Sequence, residues 1–131
     1  MFGICNLAIV PIRFEASDRS EMVSQLLFGD HFKIVESTPK WIRILTAFDH
    51  YEGWIDSKQY QALSETQFQL IETTANILNG DLIDFVSYGN NQLMPIPLGS
   101  SVSFLDINEI NTSNFLLKCF LNCIISQVFI Y

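Results

Sequence analysis

The chain has 131 residues, of which 49% are hydrophobic, and a formal net charge of −7 at pH 7. This composition is that of a globular protein with a packed core rather than of a disordered chain. Nucleic-acid binding relies on clustered Lys and Arg, and the acidic balance with no basic stripe excludes it.

Five short strands are predicted in the first sixty residues. The first spans Gly3 to Arg13 and bends near Pro11, because β-branched residues favour a strand while proline belongs at an edge or bulge. A polar loop follows, and further apolar or alternating segments lie between turn signals at residues 22–28, 31–36, 41–45 and 53–56. Val35 is an exception to the alternation. Short strands without helical periodicity predict an all-β fold, a small barrel at residues 3–60.

A short helix is predicted after the barrel. Ser64 to Gln67 fits a capping box, so a helix is expected from there to about Glu72, within a linker at residues 61–80. Strand-like segments then follow at residues 82–86 and 93–98. Residues 81–131 are therefore predicted to be an incomplete second β segment or a degenerate C-terminal tail.

The final segment, residues 115–131, is strongly apolar and has the length of a short membrane helix. Lys118, Asn122, Ser126 and Gln127 interrupt the apolar run, so no membrane span is expected. Two alternatives stay open, an amphipathic helix or strand pair that docks on the protein, and an artefactual tail. Exposed apolar surface drives association, which predicts self-association through 115–131.

The cysteines and histidines do not form a catalytic or metal-binding set. A cysteine peptidase needs a thiolate, a histidine base and a group that orients the histidine. Cys119 and Cys123 have no acid or histidine near them in sequence, and His31 and His50 both fall in predicted turns. These spacings do not match a zinc site. We therefore predict no catalytic residue, no metal and no cofactor.

Three cysteines without framework spacing favour a reducing compartment. Residues 1–10 contain no Lys or Arg and so lack the charged start of an export signal. A cytoplasmic location is expected from these two features. Cys5 is predicted to be a small buried residue of a strand, and at least one of Trp41 and Trp54 is predicted to lie in the core.

Five features in this order resemble a bacterial SH3 domain. They are Val10 to Arg13, the polar loop, Gln25 to Asp30, Trp41 within KWIRI, and Tyr51 to Ile55. The set is more specifically similar to the N-terminal SH3 (SH3b) domain of NlpC/P60-family cell-wall peptidases, bacterial enzymes that cut γ-D-glutamyl to diamino-acid bonds in murein peptides. Such proteins carry one or two SH3 domains before a papain-like catalytic domain. The resemblance covers residues 3–60 and is weaker at residues 95–100.

This resemblance implies an SH3-like barrel that is a non-catalytic module of a murein-peptide hydrolase, with the papain-like domain as its partner in cis. It also implies that an acid and a tyrosine receive the free amino end of a murein stem peptide. Those roles fall on Glu15 and Tyr51, with Asp18 as the fallback acid. A carboxylate accepts a charge-assisted hydrogen bond from an ammonium, and a phenol adds a neutral one.

The family's nucleophile motif, Asp-Cys-Ser-Gly, does not occur in the chain, so no peptidase activity is expected from it. Two other interpretations remain open. The chain can be a truncated or frame-shifted fragment of an NlpC/P60 peptidase, or it can be a protein–protein adaptor that binds proline-rich ligands.

Overall fold

The computed structural model describes residues 1–73, 77–80, 82–88, 92–102, 118–119 and 128–130. Seven strands form one antiparallel sheet in the order β3-β2-β6-β5-β4-β1-β7. Their bounds are β1 Phe2–Ile4, β2 Ile9–Arg13, β3 Met22–Leu27, β4 His31–Ser37, β5 Trp41–Thr46, β6 Glu52–Asp56 and β7 Gln61–Leu63. The sheet curls around an apolar core, and the predicted all-β, SH3-like class is confirmed.

The predicted first strand is wrong in one respect, because the structure divides it into β1 and β2. β1 pairs with β4 and β7, whereas β2 pairs with β3 and β6. The division begins at Cys5, whose amide donates to Asp30 O at 2.8 Å and whose carbonyl accepts from Gly29 N at 2.8 Å. Backbone groups of buried segments require partners, and here the turn after β3 supplies them.

The core alternates along the strands as the sequence predicts. Ile12, Ile44 and Ile55 are fully buried beside Phe32. Full burial of each such side chain contributes about 1.5–3 kcal/mol. Of the two tryptophans, Trp41 is the buried one, while Trp54 is half-buried. The prediction that at least one lies in the core is confirmed.

Val35 breaks the alternation of β4 for a structural reason. Ile34 faces Ile44 and Glu36 faces Arg43, so Val35 is an extra residue in a bulge. Its side chain is 49% exposed, the outward position that follows the partly buried Ile34. A bulge places two residues of one strand opposite one residue of its partner, and beyond this one the strand ends with the exposed Glu36 and Ser37.

Helix α1 spans Glu65–Thr73 and begins with the predicted capping box. The amide of Ser64 donates to Gln67 Oε1 at 2.9 Å, and the amide of Gln67 donates to Ser64 Oγ at 3.1 Å. Phe68 is buried and stacks on Phe2 with ring centroids 4.4 Å apart. The capping box therefore fixes where the helix starts, and the aromatic stack fixes its packing against β1.

Beyond the helix, β9 (Ile83–Tyr88) and β10 (Gln92–Pro97) form a hairpin that β11 (Lys118–Cys119) extends. β8 (Ile77–Asn79) pairs with β12 (Val128–Ile130). The hairpin leads into residues 97–102, and this segment contacts the barrel because the amide of Ser101 donates to Phe28 O at 2.7 Å. The division at residue 80 stays a prediction.

Most of the tail at residues 115–131 lies outside the described residues, including Asn122, Cys123, Ser126 and Gln127. Self-association through it therefore stays a prediction. Among the residues that are described, no helix combines the length and the apolarity needed to cross a membrane.

One edge of the sheet is the strand β3. Its pairing with β2 contains an irregularity at Val23, since Ile12 faces Ser24 while Arg13 faces Met22. At its other end, the amide of Leu27 donates to Asp30 Oδ2 at 2.9 Å, and the carbonyl of Leu27 accepts from the amide of Asp30 at 3.0 Å. The edge strand β3 is thus irregular near Val23, and at Leu27 its outward backbone groups are already hydrogen-bonded to Asp30.

Candidate functional site

Glu15 lies in the loop between β2 and β3, and hydrogen bonds within this loop hold its backbone in place. The amide of Glu15 donates to Ser20 Oγ at 2.8 Å, and the amide of Phe14 donates to Glu21 O at 2.9 Å. Arg13 Nη1 also donates to Ser20 O at 3.0 Å. Glu15 itself is exposed. Its carboxylate therefore extends into solvent from a backbone that hydrogen bonds hold in place.

Asp18, the fallback acid, lies in the same loop but has a cationic partner. Its Oδ2 is 3.0 Å from Lys40 Nζ, and both side chains are exposed. Lys40 directly precedes β5, whereas Tyr51 belongs to the loop that follows β5. The structure therefore brings Asp18 to the opposite end of β5 from Tyr51.

Tyr51 ends the loop between β5 and β6, which a network around Thr46 organises. Thr46 Oγ1 donates to Asp49 Oδ1 and accepts from the amide of Tyr51 at 2.7 Å. His50 adopts a positive φ of 54° inside this loop. The loop leaves Tyr51 39% exposed and Phe48 88% exposed. The hydrogen-bonded loop thus holds the side chains of Tyr51 and Phe48 at the surface.

Sequence analysis missed a cavity of about 560 Å³ beside this loop. Its walls come from five separate parts of the chain, namely β3 with the turn into β4, the start of the 46–51 loop, the C-terminal half of α1, Leu78 of β8, and residues around Ser101. The charged and titratable residues of its lining are Asp30, His31, Asp49 and Glu72. The described part of the lining contains no Lys or Arg and is therefore acidic.

Asp30 is the most perturbed carboxyl group of this cavity. Burial raises the pKa of Asp30 to about 6, the hydrogen bond from Leu27 N–H works in the opposite direction, and the charge of Asp49 raises the pKa further. Desolvation disfavours the ionised form, and so does a nearby like charge. Perturbed titratable groups that line a cavity are the usual signature of a binding site.

His31 connects the barrel to the helix at the cavity wall. The prediction that it lies in a turn is wrong, because it is the first residue of β4 and faces Ile4 of β1. Its Nε2 is hydrogen-bonded to Glu72 Oε1, and its ring meets Phe68 edge-on with centroids 5.3 Å apart. The turn signal Gly29-Asp30 and the start of the predicted segment at residues 31–36 agree with the structure, so only the assignment of His31 to a turn is wrong.

Cys5 is the one free cysteine whose side chain is described, and its thiol is poorly reactive. Cys5 is fully buried, as predicted. Burial raises the pKa of its thiol to about 12, a backbone hydrogen bond at Leu7 lowers it, and the charge of Asp30 raises it. A thiol needs a lowered pKa to act as a nucleophile, so Cys5 is structural.

The comparisons with known proteins agree with this architecture. The family of the bacterial dipeptidyl-peptidase Sh3 domain matches residues 12–59, which run from the end of β2 to just beyond β6. Residues 12–59 are thus similar to a bacterial SH3 domain. The matched segment contains Glu15, Asp18 and Tyr51, and it contains every described acidic residue of the cavity except Glu72.

A solved structure shares the fold over most of this chain. This NlpC/P60 family protein from Bacillus cereus superposes with a TM-score of 0.62 at 10% identity, covering 79% of this chain and 47% of that chain. The chain thus spans about half the length of that protein. No curated protein matches the sequence.

Proposed function

We propose that the chain is the non-catalytic SH3b part of a murein-peptide hydrolase of the NlpC/P60 type, acting beside a papain-like catalytic domain. The observation that carries this proposal is the match of residues 12–59 to the Sh3 domain of bacterial dipeptidyl-peptidases. The fold shared with an NlpC/P60 protein from Bacillus cereus supports the same assignment.

The non-catalytic role is supported by the chemistry of the described residues. Cys5 is buried with a pKa of about 12, so it does not supply a thiolate at neutral pH. His31 is hydrogen-bonded to Glu72 and is not paired with a thiol. The sequence also lacks the Asp-Cys-Ser-Gly motif. Catalysis belongs to the partner domain in this proposal.

Within the proposal, Glu15 and Tyr51 receive the free amino end of the stem peptide. Both side chains are exposed, and both are carried by loops that hydrogen bonds hold in place. Asp18 is the weaker candidate, because Lys40 already neutralises its carboxylate. An exposed carboxylate without a cationic partner is the better acceptor for an ammonium group.

The test is an NMR titration of the full chain with L-alanyl-γ-D-glutamyl-diaminopimelate and with the same peptide acetylated at its amino end. Without the catalytic domain, a Kd on the order of 1 mM is expected, about −4 kcal/mol. Shifts around Glu15 and Tyr51 should require the free amine. Glu15→Gln should abolish these shifts, whereas Glu21→Gln in the same exposed loop should not. Equal responses to both peptides would reject this site.

A further inference from the structure

The cavity beside the 46–51 loop is a second surface of the protein, separate from Glu15 and Tyr51, which do not belong to its lining. Five of its lining residues are apolar, and Ile71 among them is buried; they are Leu27, Ala47, Phe48, Ile71 and Leu78. Pockets of about 300–1,000 Å³ with mainly apolar walls and a few convergent polar groups are typical of ligand sites. At about 560 Å³ this cavity falls within that range.

Charge distinguishes this cavity from an ordinary apolar one. Asp30 accepts a hydrogen bond from the amide of Leu27, and Asp49 accepts from Thr46 Oγ1 and the amide of Tyr51. These donors are neutral and leave the negative charge of the carboxylates uncompensated. Among the lining residues that the structure describes, Glu72 alone faces a titratable nitrogen, that of His31. The cavity therefore favours an occupant that carries positive charge.

The rim of the cavity adds an aromatic surface. Phe48 lines the cavity and is 88% exposed, which is costly for a large apolar side chain without an occupant. The Thr46 network fixes the loop that carries it. Cations are attracted to the face of an aromatic ring within about 6 Å of its centroid. Phe48 and the carboxylates thus favour the same kind of ligand.

A metal ion does not fit this arrangement. Among the residues that the structure describes, no group of three or more His, Cys, Asp or Glu side chains is arranged to hold one. The carboxylates come from separate elements of the fold, and apolar side chains lie among them. Hard divalent cations need six or more oxygen ligands at about 2.0–2.6 Å. An organic cation with an apolar body satisfies both the charges and the walls.

We propose that this cavity binds a lysine-type side chain carried by a peptide. The ammonium group lies among Asp30, Asp49 and Glu72, and the alkyl stem runs along the apolar wall past Phe48. Long cationic side chains bury their methylene groups while the charged head keeps polar partners. The size of the cavity suits a residue with its flanking peptide rather than a free alkylamine.

The binding test uses ¹⁵N-labelled full chain and the probe Nα-acetyl-L-lysine N-methylamide. The matched control is Nα-acetyl-L-norleucine N-methylamide, which has nearly the same shape and no ammonium group. The lysine probe should cause saturable shifts at the amides of Asp30, His31, Asp49 and Glu72, and the norleucine probe should bind at least about tenfold more weakly. Equal binding of the two probes, or shifts only at Glu15 and Tyr51, would overturn the proposal.

Variants then separate charge from shape. Asp49→Asn removes the charge but keeps an oxygen that accepts from Thr46 Oγ1, and it should raise the Kd of the lysine probe about tenfold. Phe48→Ala, an exposed position where folding is not at risk, should also weaken binding. Glu21→Gln removes the same charge from an exposed loop outside the cavity and should leave the Kd unchanged. Unchanged binding in both Asp49→Asn and Phe48→Ala would overturn the proposal, as would displacement of the probe by millimolar CaCl₂.

Discussion

The carbonyl oxygen of Ser101 lies 1.9 Å from the position that a Cβ atom would occupy on Gly29. Gly29 has a φ of 85°, a region that side chains disfavour, and it lies in the turn between β3 and β4 that lines the cavity. The amide of Ser101 also donates to Phe28 O at 2.7 Å. Glycine at this position therefore permits the segment around Ser101 to dock on the barrel.

Replacing Gly29 with alanine should release this segment. A left-handed alanine costs roughly 1–2 kcal/mol, and the clash with a backbone carbonyl adds roughly 1–3 kcal/mol. Gly99→Ala is a matched control, because Gly99 has a φ of 86° but its Cβ would meet only Leu27 Cδ1 at 3.5 Å. Urea unfolding should show a larger loss for Gly29→Ala, with amide shifts at residues 99–102. Equal losses in the two variants would contradict the docking role.

Asp30 should make folding less favourable as the pH rises. Its pKa is raised from 3.8 to about 6, so between these values the folded state holds a proton that the unfolded state has lost. The free energy of unfolding should therefore decrease from pH 4 to pH 7 by up to about 3 kcal/mol through this group. The stabilising contribution is complete below pH 4 and lost above pH 6.

Asp30→Asn isolates this effect, because asparagine can still accept from the amide of Leu27. The variant should be more stable than the parent protein at pH 7, and the difference should shrink towards pH 4. Denaturant unfolding of both proteins at several pH values measures this. A difference that stays constant across this range would show that burial of Asp30 is not the cause.

Cys5 should resist thiol reagents while the protein is folded. Its thiol is buried and has a pKa of about 12, so the reactive thiolate is scarce at pH 8. Mass spectrometry of peptides after iodoacetamide treatment should find Cys5 unmodified in buffer and modified in concentrated urea. Rapid modification in buffer, at the rate of an unfolded control, would mean that β1 opens readily.

Ser64→Ala should destabilise helix α1 by about 1 kcal/mol, the usual cost of losing an N-cap side chain. The change removes the acceptor of the Gln67 amide at 3.1 Å. Ser57→Ala, which removes an exposed bond to Pro39 O, is a control outside the helix. Thermal unfolding followed by circular dichroism should show the larger loss for Ser64→Ala. Identical curves for the two variants would deny the capping box any energetic role.

The elements that the sequence predicted are those encoded by neighbouring residues. The capping box at Ser64 and the strand at Trp41 depend on local pattern, and the structure confirms both. The exception at Val35 was visible in the alternation, but its cause was not, because a bulge is a property of two paired strands.

The cavity could not be predicted in the same way. Asp30, Asp49 and Glu72 are far apart in sequence. The pairing of β4 with β5 brings Asp30 and Asp49 near each other, and the packing of α1 on the barrel adds Glu72. The division of the first strand was hidden for the same reason, because partners in the Gly29-Asp30 turn decide where β1 ends. Chain order alone gives no measure of such long-range contacts.

The edge strand β3 also has a bearing on how copies of this protein behave in concentrated solution. An intruding strand would need a row of free backbone donors and acceptors. Asp30 occupies both edge groups of Leu27, and the irregularity at Val23 disturbs the spacing at the other end. Little regular edge of β3 therefore remains for an intruding strand to pair with. The residue that contributes charge to the cavity thus also protects this edge strand from pairing with a second copy.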